Sequence, residues 1–595
     1  MPEVVLVAPP FLNPAGPALA AELLAAGCRE RGIDAGVLYA NLRFAALIGD
    51  ETYRRVMIPR DWRVVGEAAF APEVFPGLPD PVEHFFTAVD AGPLRWWHEN
   101  RADEQCYQTC RAEAAGFVED TVAAILALEP RIVGFSAACQ QTLASLALAK
   151  ALKARAPEVL TVLGGPAALP PMGQALADIA PMLDAIVGGE ADLAFPRMCE
   201  DYLQEGARPP RVVDCGPVPD LDEAPSPDYS SYLEQLAALQ ATGSLPQRYP
   251  GHLFFESSRG CWWGDRSTCR FCGILHGPYR RKSDARILRE LRGLAGSHEG
   301  IPVWATDCIM PRELPQDVLP QLIADDLAID LQYEVKANLT RRELKTLKET
   351  GSTWIQPGIE SLCPGTLRAF RKGVRAAQNI LLLRECRSLR LAVAWNFLYR
   401  IPGDDLQEYR DLVRLLPALS HLQAPMSFST ITLVRGSPYF AEAQRFGFRD
   451  VRPLDTYGYL YPPETRMEDI GTAFHARWPS ALDEDPRLTN QLVEGLDAWT
   501  AAWRDPLQRP ALFKVPLPGG RVFVHDSRPC AAAEAFLGDA SCAQALAYFD
   551  TPRTKRGAAV VPPNVLTDLL DRAFVIDWDE RYVSLVTRAQ PRTTP

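Results

Sequence analysis

Three cysteines stand close together in the stretch Phe254–Gly273, which is FFESSRGCWWGDRSTCRFCG. Seven residues separate Cys261 from Cys269, and two residues separate Cys269 from Cys272. Thiolate sulfur is the soft ligand that iron–sulfur clusters use, so one such loop can hold three irons of a [4Fe–4S] cube. Because no fourth cysteine follows nearby, the fourth iron would be open to an exogenous ligand.

Spacing alone also permits a zinc site or a chance clustering of these cysteines. His276 lies four residues after Cys272, so three thiolates and one imidazole could make a structural zinc site. Chance is open as well, since the chain carries 14 cysteines. Phe271 and the apolar residues that flank the loop favour a buried redox centre over a surface zinc site.

The composition is that of an ordinary soluble globular protein with room for several domains. The chain has 595 residues, of which 47% are hydrophobic and 23% are charged. The net charge of −12 argues against a nucleic-acid partner, which would be bound through its phosphates. The first residues, MPEVVLVAPPF, lack the basic segment and long apolar core that a signal peptide would have, and no apolar run approaches the roughly 18 residues that cross a bilayer. We therefore expect a cytoplasmic protein with no membrane partner and reduced thiols.

Residues 1–210 predict an α/β domain with a doubly wound, Rossmann-like parallel sheet, because short apolar strands alternate with helices. The predicted strands are Val4–Val7, Ala35–Tyr39, Ile132–Ser136, Val159–Leu163 and Ala185–Val187. Ligands of such sheets bind beyond the carboxyl ends of the strands. The loops at that edge are 134–142, 164–173 and 188–192.

An aromatic insert at 50–119 interrupts this alternation. Its aromatic residues are Trp62, Phe70, Phe75, Phe85, Phe86, Trp96 and Trp97. The pattern predicts a small helical subdomain with its own core, or alternatively a lid over a ligand.

Residues 211–250 are rich in proline and acidic residues and predict a linker. Residues 251–445 then repeat the strand–helix alternation and predict a partial (β/α)6 barrel of the TIM type. The predicted strands are Leu253–Ser257, Pro302–Thr306, Gln332–Val335, Trp354–Gly358, Ala392–Leu398 and Met426–Ile431. Active residues of such barrels lie at the carboxyl ends of the strands. Each polar residue there, taken alone, also fits a sheet-edge cap.

The last part of the chain predicts a connecting segment at 446–512 and a further module at 513–595. The connecting segment is aromatic and contains a helix at Leu492–Trp503. The module has two or three helices and a hairpin, Ala573–Trp578 with Tyr582–Val586, and this order is typical of an α+β, winged-helix-like unit. It lacks the basic face with which such units bind nucleic acid.

The cysteine loop resembles the cluster loop of radical S-adenosylmethionine (SAM) enzymes. Its GCWWG opening and seven-residue spacing resemble one branch, the cobalamin-dependent radical SAM C-methyltransferases that mature ribosomal peptides. The loop departs from that branch at Ser267–Thr268, where histidines are expected, and 274–277 is one residue longer than usual.

The resemblance implies a [4Fe–4S] cluster on Cys261, Cys269 and Cys272, together with SAM and cobalamin. EVKANLT, WIQPGIESL and AWNFLYRIPG resemble SAM-binding segments, which implies contacts from Phe271, Asp307, Lys336, Asn338, Gln356, Glu360 and Asn396. GFSAACQQTLASLALA, LGGPAALPPMG and VGGEAD resemble corrin-binding loops, which implies contacts from Gly134, Ser136, Gln141, Thr142, Gly164, Gly165, Gly188 and Glu190. No Asp-x-His-x-x-Gly motif is present there, so no axial histidine is expected.

The implied reaction is methylation of an unactivated sp3 carbon of a ribosomal peptide, through a 5′-deoxyadenosyl radical and methylcobalamin. It needs no catalytic residue beyond the cofactor ligands. Tyr399 and Arg400 are candidates for the substrate cavity, and Arg400 stands where a glycine is typical.

The implied partners are a precursor peptide and a reductant such as flavodoxin or ferredoxin. The C-terminal module would bind the leader of the peptide by adding a strand to a sheet edge. Two alternatives stay open. One is a cobalamin-dependent radical SAM enzyme with non-methylating chemistry or with a small metabolite as its substrate. The other is a non-enzymatic, metal-stabilised protein that binds peptides during maturation.

Overall fold

The computed structural model describes residues 1–58, 64–87, 95–273 and 277–589, with backbone only over 95–101. Trp62 and His276 lie outside the described residues, as do the side chains of Trp96 and Trp97. The chain forms two compact units. One comprises Met1–Phe255, Arg280–Arg286 and Arg452–His475, and the other comprises Glu256–Tyr279, Ile287–Val451 and Ala476–Pro595.

The first unit is built on a parallel sheet with helices around it. Its strands are β1 Val4–Ala8, β2 Ala35–Tyr39, β3 Ile132–Ser136, β4 Leu160–Gly164, β5 Ala185–Gly188 and β6 Val212–Asp214. Its helices are α1 Leu19–Glu30, α2 Ala40–Ile48, α3 Asp50–Met57, α4 Val65–Val74, α5 Arg95–Leu126, α6 Thr142–Arg155, α7 Met172–Ile179, α8 Ala194–Glu205 and α9 Ser230–Ala241.

The sheet has the strand order β2-β1-β3-β4-β5-β6 and every pairing in it is parallel. All five residues of β1 are buried, as expected for a strand covered by helices on both faces. The predicted parallel sheet is therefore observed. The order reverses between β1 and β3, which makes their carboxyl ends the topological switch point.

Two features of this unit differ from what the sequence predicts. The predicted linker 211–250 contains β6, which pairs with β5, and α9, whose Tyr232 and Leu236 are buried in the core of the sheet. The insert 50–119 does not have a core of its own, because Phe70 and Phe85 lie in that same core. The short edge strand β6 was not predicted because the segment around it is polar and rich in proline. The insert has no separate core because helix α4 packs its apolar surface against α5 and α6.

The next elements along the chain are β7 Leu253–Phe255, β8 Ser258–Arg259, α10 Trp262–Ser267, β9 Arg280–Arg281 and α11 Asp284–Ser297. Of these, β7 and β9 belong to the first unit, whereas β8, α10 and most of α11 belong to the second, which contains the cysteine loop. The next are β10 Val303–Ala305, α12 Leu314–Asp317, α13 Leu319–Ala324, β11 Leu331–Gln332, β12 Glu334–Val335, α14 Arg341–Thr350, β13 Trp354–Pro357, α15 Pro364–Ala369, α16 Ala376–Leu389, β14 Ala392–Val393, β15 Asn396–Tyr399, α17 Leu406–Leu419 and β16 Ser427–Thr430.

The strands of this series lie near their predicted positions, but two predicted strands are each divided into two short ones, β11 with β12 and β14 with β15, which pair with different neighbours. β10 pairs with β11, β12 with β13, β13 with β14 and β15 with β16, and all four pairings are parallel. Local signals explain the helices between them. Helix α14, for example, starts at a capping box of Thr340 and Glu343 and ends at Gly351, whose φ is +114°. The closure of these strands into a partial barrel stays a prediction.

The remaining elements follow in order. They are β17 Leu433–Val434, α18 Pro438–Ala441, β18 Arg449–Pro453, α19 Met467–Ile470, β19 Ala473–Arg477, α20 Pro486–Ala502, β20 Leu512–Pro516, β21 Val522–Asp526, β22 Ala535–Gly538, α21 Ala540–Tyr548, β23 Arg553–Thr554, α22 Pro563–Asp571, β24 Val575–Trp578, β25 Arg581–Ser584 and β26 Thr587–Arg588.

The predicted C-terminal hairpin is present as β24 and β25, with Asp579 and Glu580 at φ values of +52° and +60° in its two-residue turn. A four-stranded sheet, β22-β21-β20-β26, was not expected from the sequence. Buried side chains join this module to the preceding helices. Arg384 of α16 donates to the carbonyl of Ser584 at 2.8 Å, and Arg528 donates to the carbonyl of Ala418 at 2.9 Å.

Within the described residues, no helix combines the length and the hydropathy that a bilayer crossing requires.

Candidate functional site

The cysteine loop is fixed at its start by a glycine. Gly260 has a φ of +81°, and a Cβ there would lie 2.9 Å from the carbonyl oxygens of Gly277 and Pro278. Only glycine combines that conformation with that close approach. Cys261 follows as the N-cap of α10, and its Sγ accepts the backbone N–H of Gly264 at 3.3 Å.

Two tryptophans anchor the helical turn that carries Cys261. The indole N–H of Trp262 donates to the carbonyl of Met310 at 3.0 Å, and that of Trp263 donates to the carbonyl of Arg371 at 3.1 Å. Trp263 packs so closely on Gly373 that a Cβ there would lie 2.1 Å from the ring. The GCWWG motif therefore joins the loop to the ends of two other segments of the same unit.

Asp307 forms a buried brace beneath the loop. Its carboxylate accepts the backbone N–H of Ser257 at 2.9 Å, the Ser257 hydroxyl at 2.7 Å and the Ser258 hydroxyl. Only 2% of the residue is exposed, and burial raises its pKa to about 7. Asp307 is thus occupied in positioning the backbone that leads into the cysteines, whereas a SAM contact was expected from the sequence.

Lys336 and Glu360 do come together, with Lys372 between them. Lys372 Nζ lies 3.3 Å from Glu360 Oε1, and Lys336 Nζ donates to the carbonyl of Lys372. Lys336 also lies 3.5 Å from the ring centre of Trp263. Burial and then the charge of Lys372 lower the pKa of Lys336 to about 8. Two cations are therefore held beside the thiol loop.

Phe271 lies in the same group. Its ring is 4.6 Å from that of Phe370, and Lys372 Nζ is 5.6 Å from its centre. The Cys269 thiol is close enough for Lys372 and Lys336 to act on it, although burial is the larger effect and raises its pKa. These contacts place an apolar wall and two positive charges next to the cysteines, as a bound anionic cluster requires.

The other predicted strand-end residues make contacts of their own, apart from those of Lys336, Lys372 and Glu360. Gln356 donates to Glu334 at 3.0 Å, and burial and the charge of Glu360 raise the pKa of Glu334 to about 7. Asn338 is exposed, and the exposed Asn396 accepts from the Ser427 hydroxyl at 2.8 Å.

Of the two substrate-cavity candidates, Arg400 contacts other side chains of the protein. It donates to Asp483 at 2.7 Å and lies 5.5 Å from the centre of Trp478. Its φ of +55° explains why a glycine is typical at this position. Tyr399 is half-buried, and burial raises its pKa.

The three thiols are suitable donors for a cluster, but they are not gathered into a closed cage. Among the described residues, no three side chains of His, Cys, Asp or Glu are arranged to hold a metal ion. Cys261, Cys269 and Cys272 are each partly exposed, and none of them forms a disulfide. Ligation by these three residues therefore stays a prediction, supported by the donor type and by the two lysines.

In the first unit, most of the predicted cobalamin glycines are explained by packing. A Cβ on Gly134 would lie 2.5 Å from Leu6, and one on Gly188 would lie 2.6 Å from the carbonyl of Ala168. Gly165 has a φ of +112°, and its Cβ would meet the carbonyl of Ala137 at 2.8 Å. Gly164 has no such close contact, since its nearest neighbour would be 3.6 Å away.

The polar candidates of the first unit sit at the start of α6. Ser136 donates to the buried Gln141 at 3.1 Å. The backbone N–H groups of Thr142 and Leu143 donate to the fully buried Glu67, at 3.0 and 2.6 Å. Burial raises the pKa of Glu67 to about 7, although these bonds oppose it.

The switch point itself is closed by the insert. Gln140, at a φ of +62°, accepts from Gly66 N–H at 2.7 Å and donates to the carbonyl of Met57 at 2.7 Å. Phe11, which follows β1, packs on Tyr53 and Phe70. Binding of a ligand at the loops after β3, β4 and β5 stays a prediction.

Glu190 forms hydrogen bonds within the first unit. Both of its carboxylate oxygens pair with Arg280, at 2.6 and 2.9 Å, and it also accepts the backbone N–H of Val218 at 2.9 Å. A cobalamin contact from this side chain stays a prediction.

Lys372, Glu334 and Glu67 were not singled out from the sequence. Glu334 could have been selected from the sequence, because residues two apart in a strand lie on the same face and Glu334 precedes Lys336 by two. Lys372 follows a helix, not a strand, and Glu67 lies in the insert, so neither stood at the edge where active residues were sought.

No protein-family model matches the chain. A curated relative is the hopanoid C-3 methylase of Methylococcus capsulatus, which is 27% identical over 369 residues, covering 58% of this chain and 69% of that protein.

Two solved structures share the fold. One is the cobalamin-dependent SAM radical enzyme OxsB with aqua-cobalamin and SAM bound, at a TM-score of 0.53 and 15% identity. That match covers 84% of this chain and 66% of OxsB, just under two thirds. The other is the radical SAM methyltransferase TsrM from Kitasatospora setae with tryptophan and a SAM analogue bound, at a TM-score of 0.51 and 15% identity, covering 85% of this chain and 89% of TsrM. The resemblance to cobalamin-dependent radical SAM enzymes is confirmed at the level of the fold.

Proposed function

We propose that this chain is a cobalamin-dependent radical SAM C-methyltransferase that acts on an unactivated sp3 carbon of a ribosomally made peptide. The observation that carries the proposal is the cysteine loop. Cys261, Cys269 and Cys272 stand on a loop fixed by Gly260 and Asp307, in a chain with the fold of cobalamin-dependent radical SAM enzymes.

When bound, the cluster, SAM and cobalamin would supply a carbon-centred radical and a methyl group. The cluster would be held by the three thiols. Lys336 and Lys372 would offset its negative charge, and Phe271 with Phe370 would keep water away from it.

SAM would meet polar groups of strands β12, β13 and β15. Glu334, the first residue of β12, and Gln356 of β13 form one hydrogen-bonded pair, and Asn396 is the first residue of β15. Carboxylate and amide oxygens suit ribose hydroxyls, which donate. Cobalamin would rest on the loops after β3, β4 and β5, where small residues let the backbone approach a flat ring.

The proposal is tested by anaerobic reconstitution with iron, sulfide and cobalamin, followed by turnover with SAM and a candidate peptide. Methylation predicts about one S-adenosylhomocysteine and one 5′-deoxyadenosine for each product. Formation of 5′-deoxyadenosine without S-adenosylhomocysteine would reject methyl transfer. An iron-free protein that still binds peptide would favour the non-enzymatic alternative.

A second candidate is methylation of a small molecule by the same chemistry. The similar proteins favour it, since one is a hopanoid methylase and TsrM was solved with tryptophan. Product formation from a hopanoid or an indole, and none from any peptide, would establish it in place of the peptide substrate. A precursor peptide and a flavodoxin or ferredoxin reductant are the partners that the first candidate requires.

A further inference from the structure

Three exposed arginines surround helix α10, the turn that follows the first cysteine of the loop. Arg266 lies on this helix, three residues after Trp263 and four after Trp262, which places these side chains on neighbouring positions of its surface. The guanidinium of Arg312 lies 4.6 Å from the ring centre of Trp262. The carbonyl of Arg371 accepts the indole N–H of Trp263 at 3.1 Å. All three arginines are exposed and belong to the second unit, and we call them the arginine face.

The arginine face is not neutralised by acids of the protein. Within the part of the chain that the structure describes, none of its three side chains forms an ion pair or a hydrogen bond. Asp265 and Glu313 are acidic neighbours in sequence, and Asp265 already accepts a backbone N–H at 2.9 Å. Burial, then the charge of Lys372 and in smaller part that of Arg312, lower the pKa of Lys336, so these cations lie close to one another. A positive surface therefore stands on a chain whose net charge is −12.

Trp263 connects the arginine face with the thiols. It is partly exposed, and Lys336 Nζ lies 3.5 Å from the centre of its ring. Cys269 and Cys261 are in turn close enough to Lys336 for their charges to act on it. The rate of electron transfer falls steeply with distance. A protein that docked on the arginine face would therefore bring its redox centre near the cysteines.

The partner that fits this face is an acidic protein that carries single electrons. Redox encounters use small interfaces, in which complementary charge guides the partners more than apolar area does. Because the chain as a whole is negative, most of its surface repels an acidic protein, and the arginine face would set both the place and the orientation of docking.

We propose that the arginine face docks the acidic one-electron carrier protein that reduces the cluster. One electron leaves the carrier and enters the cluster, so the carrier is oxidised and the cluster is reduced by one electron each, and no bond is made or broken. The inference rests on the proposed function, since it requires the cluster, and it assigns the reductant to one surface of this chain.

The test is the binding of labelled flavodoxin to the full chain, measured by fluorescence anisotropy at low salt. One double variant, Arg266→Glu with Arg371→Glu, reverses two charges of the arginine face without removing a side-chain bond of the described structure. The control, Arg487→Glu with Arg504→Glu, makes the same change of net charge at two exposed arginines on and just after helix α20, which packs on α17.

We expect the face variant to bind flavodoxin at least about tenfold more weakly, because two attractions become two repulsions. The control should bind as the unaltered chain does. The difference should shrink at about 0.5 M salt, where exposed charges are screened within a few ångströms. Equal binding by the face variant and its control would overturn the proposal. Equally tight binding of single-stranded DNA, lost in the same variant, would show a general anion-binding surface and would also overturn it.

A second measurement follows reduction of the reconstituted cluster by its absorbance. Reduction by flavodoxin should be about tenfold slower in the face variant, whereas reduction by dithionite, a small reductant that needs no docking, should be unchanged. Equal rates with flavodoxin, or equal slowing with both reductants, would contradict docking on this face. If no cluster assembles in the unaltered chain, the proposed function fails, and the binding measurement still decides whether the arginine face binds the carrier.

Discussion

Replacing Asp307 by asparagine tests the buried brace beneath the cysteine loop. The carboxylate is 2% exposed and accepts hydrogen bonds from Ser257 and Ser258. Burial raises its pKa from an ordinary 3.8 to about 7. Asparagine has nearly the same shape but cannot ionise, so the variant removes the titration and largely keeps the packing.

The expected effect follows from that shift. Because the folded pKa lies above the unfolded one, this contribution to stability is fully present below the unfolded value and is lost as the pH rises through the folded value. At about 1.4 kcal/mol per pH unit, and with the folded carboxyl half ionised at pH 7, the unaltered chain loses about 2 kcal/mol from this residue between pH 5 and pH 7, and the variant loses none of it. In a unit of about 300 residues that free energy corresponds to roughly 4 °C in Tm.

The assay is thermal unfolding of both proteins across a series of buffers from pH 5 to pH 8. We expect the Tm of Asp307→Asn, relative to that of the unaltered chain, to rise by about 4 °C over the series. Asp317→Asn, at an exposed acid of α12, is the control and should show a constant difference. A Tm difference for Asp307→Asn that is independent of pH would refute the reasoning.

Three further predictions follow from single residues. Cys269→Ala should prevent cluster assembly, so iron and sulfide analysis after reconstitution should show strong loss, and full iron content would contradict ligation by that thiol. Gly165→Ala should lower the free energy of unfolding by about 2 kcal/mol or more in urea, because of its positive φ and the 2.8 Å contact, whereas Gly164→Ala should change little. Arg400→Gly should have a free energy of unfolding in urea about 1 kcal/mol higher than that of Arg400→Ala. Both variants lose the hydrogen bond to Asp483, but only glycine relieves the backbone strain at a φ of +55°. Equal free energies of unfolding would show that the strain is absent.

The strands were predictable because their signal is local. Buried β-branched runs such as β1 and β3 stand between helices with clear ends, and their positions matched within a residue or two. Strand β6 and helix α9 were not predicted. A short polar edge strand such as β6 has almost no hydrophobic periodicity. In the four-stranded C-terminal sheet, only the pairing of β20 with β26 spans more than seventy residues. The antiparallel pairings β20–β21 and β21–β22 are local and were not predicted.

The sequence indicated which types of residue stand near the site, but not the role of each residue in the fold. The strand-end rule selected Lys336 and Glu360, which lie on either side of Lys372, and it also selected Asp307 and Glu190, which form hydrogen bonds within the protein. A sequence shows that a carboxylate stands at a strand end, but not whether a serine hydroxyl or an arginine from a distant segment already satisfies it. Partners such as Arg280 are 90 positions away from the residues they occupy.

The internal use of these polar groups has a physical reason. A loop that must leave three thiols accessible cannot be held by packing over them, so it has to be held from beneath and from its ends. Gly260 fixes the entry by close backbone contact, Asp307 fixes the preceding strand by three hydrogen bonds, and Trp262 and Trp263 fix the turn after Cys261. These contacts determine where the thiols lie, not whether they can bind iron. Replacing Asp307 should therefore change how the Tm depends on pH, whereas replacing Cys269 should change the iron content.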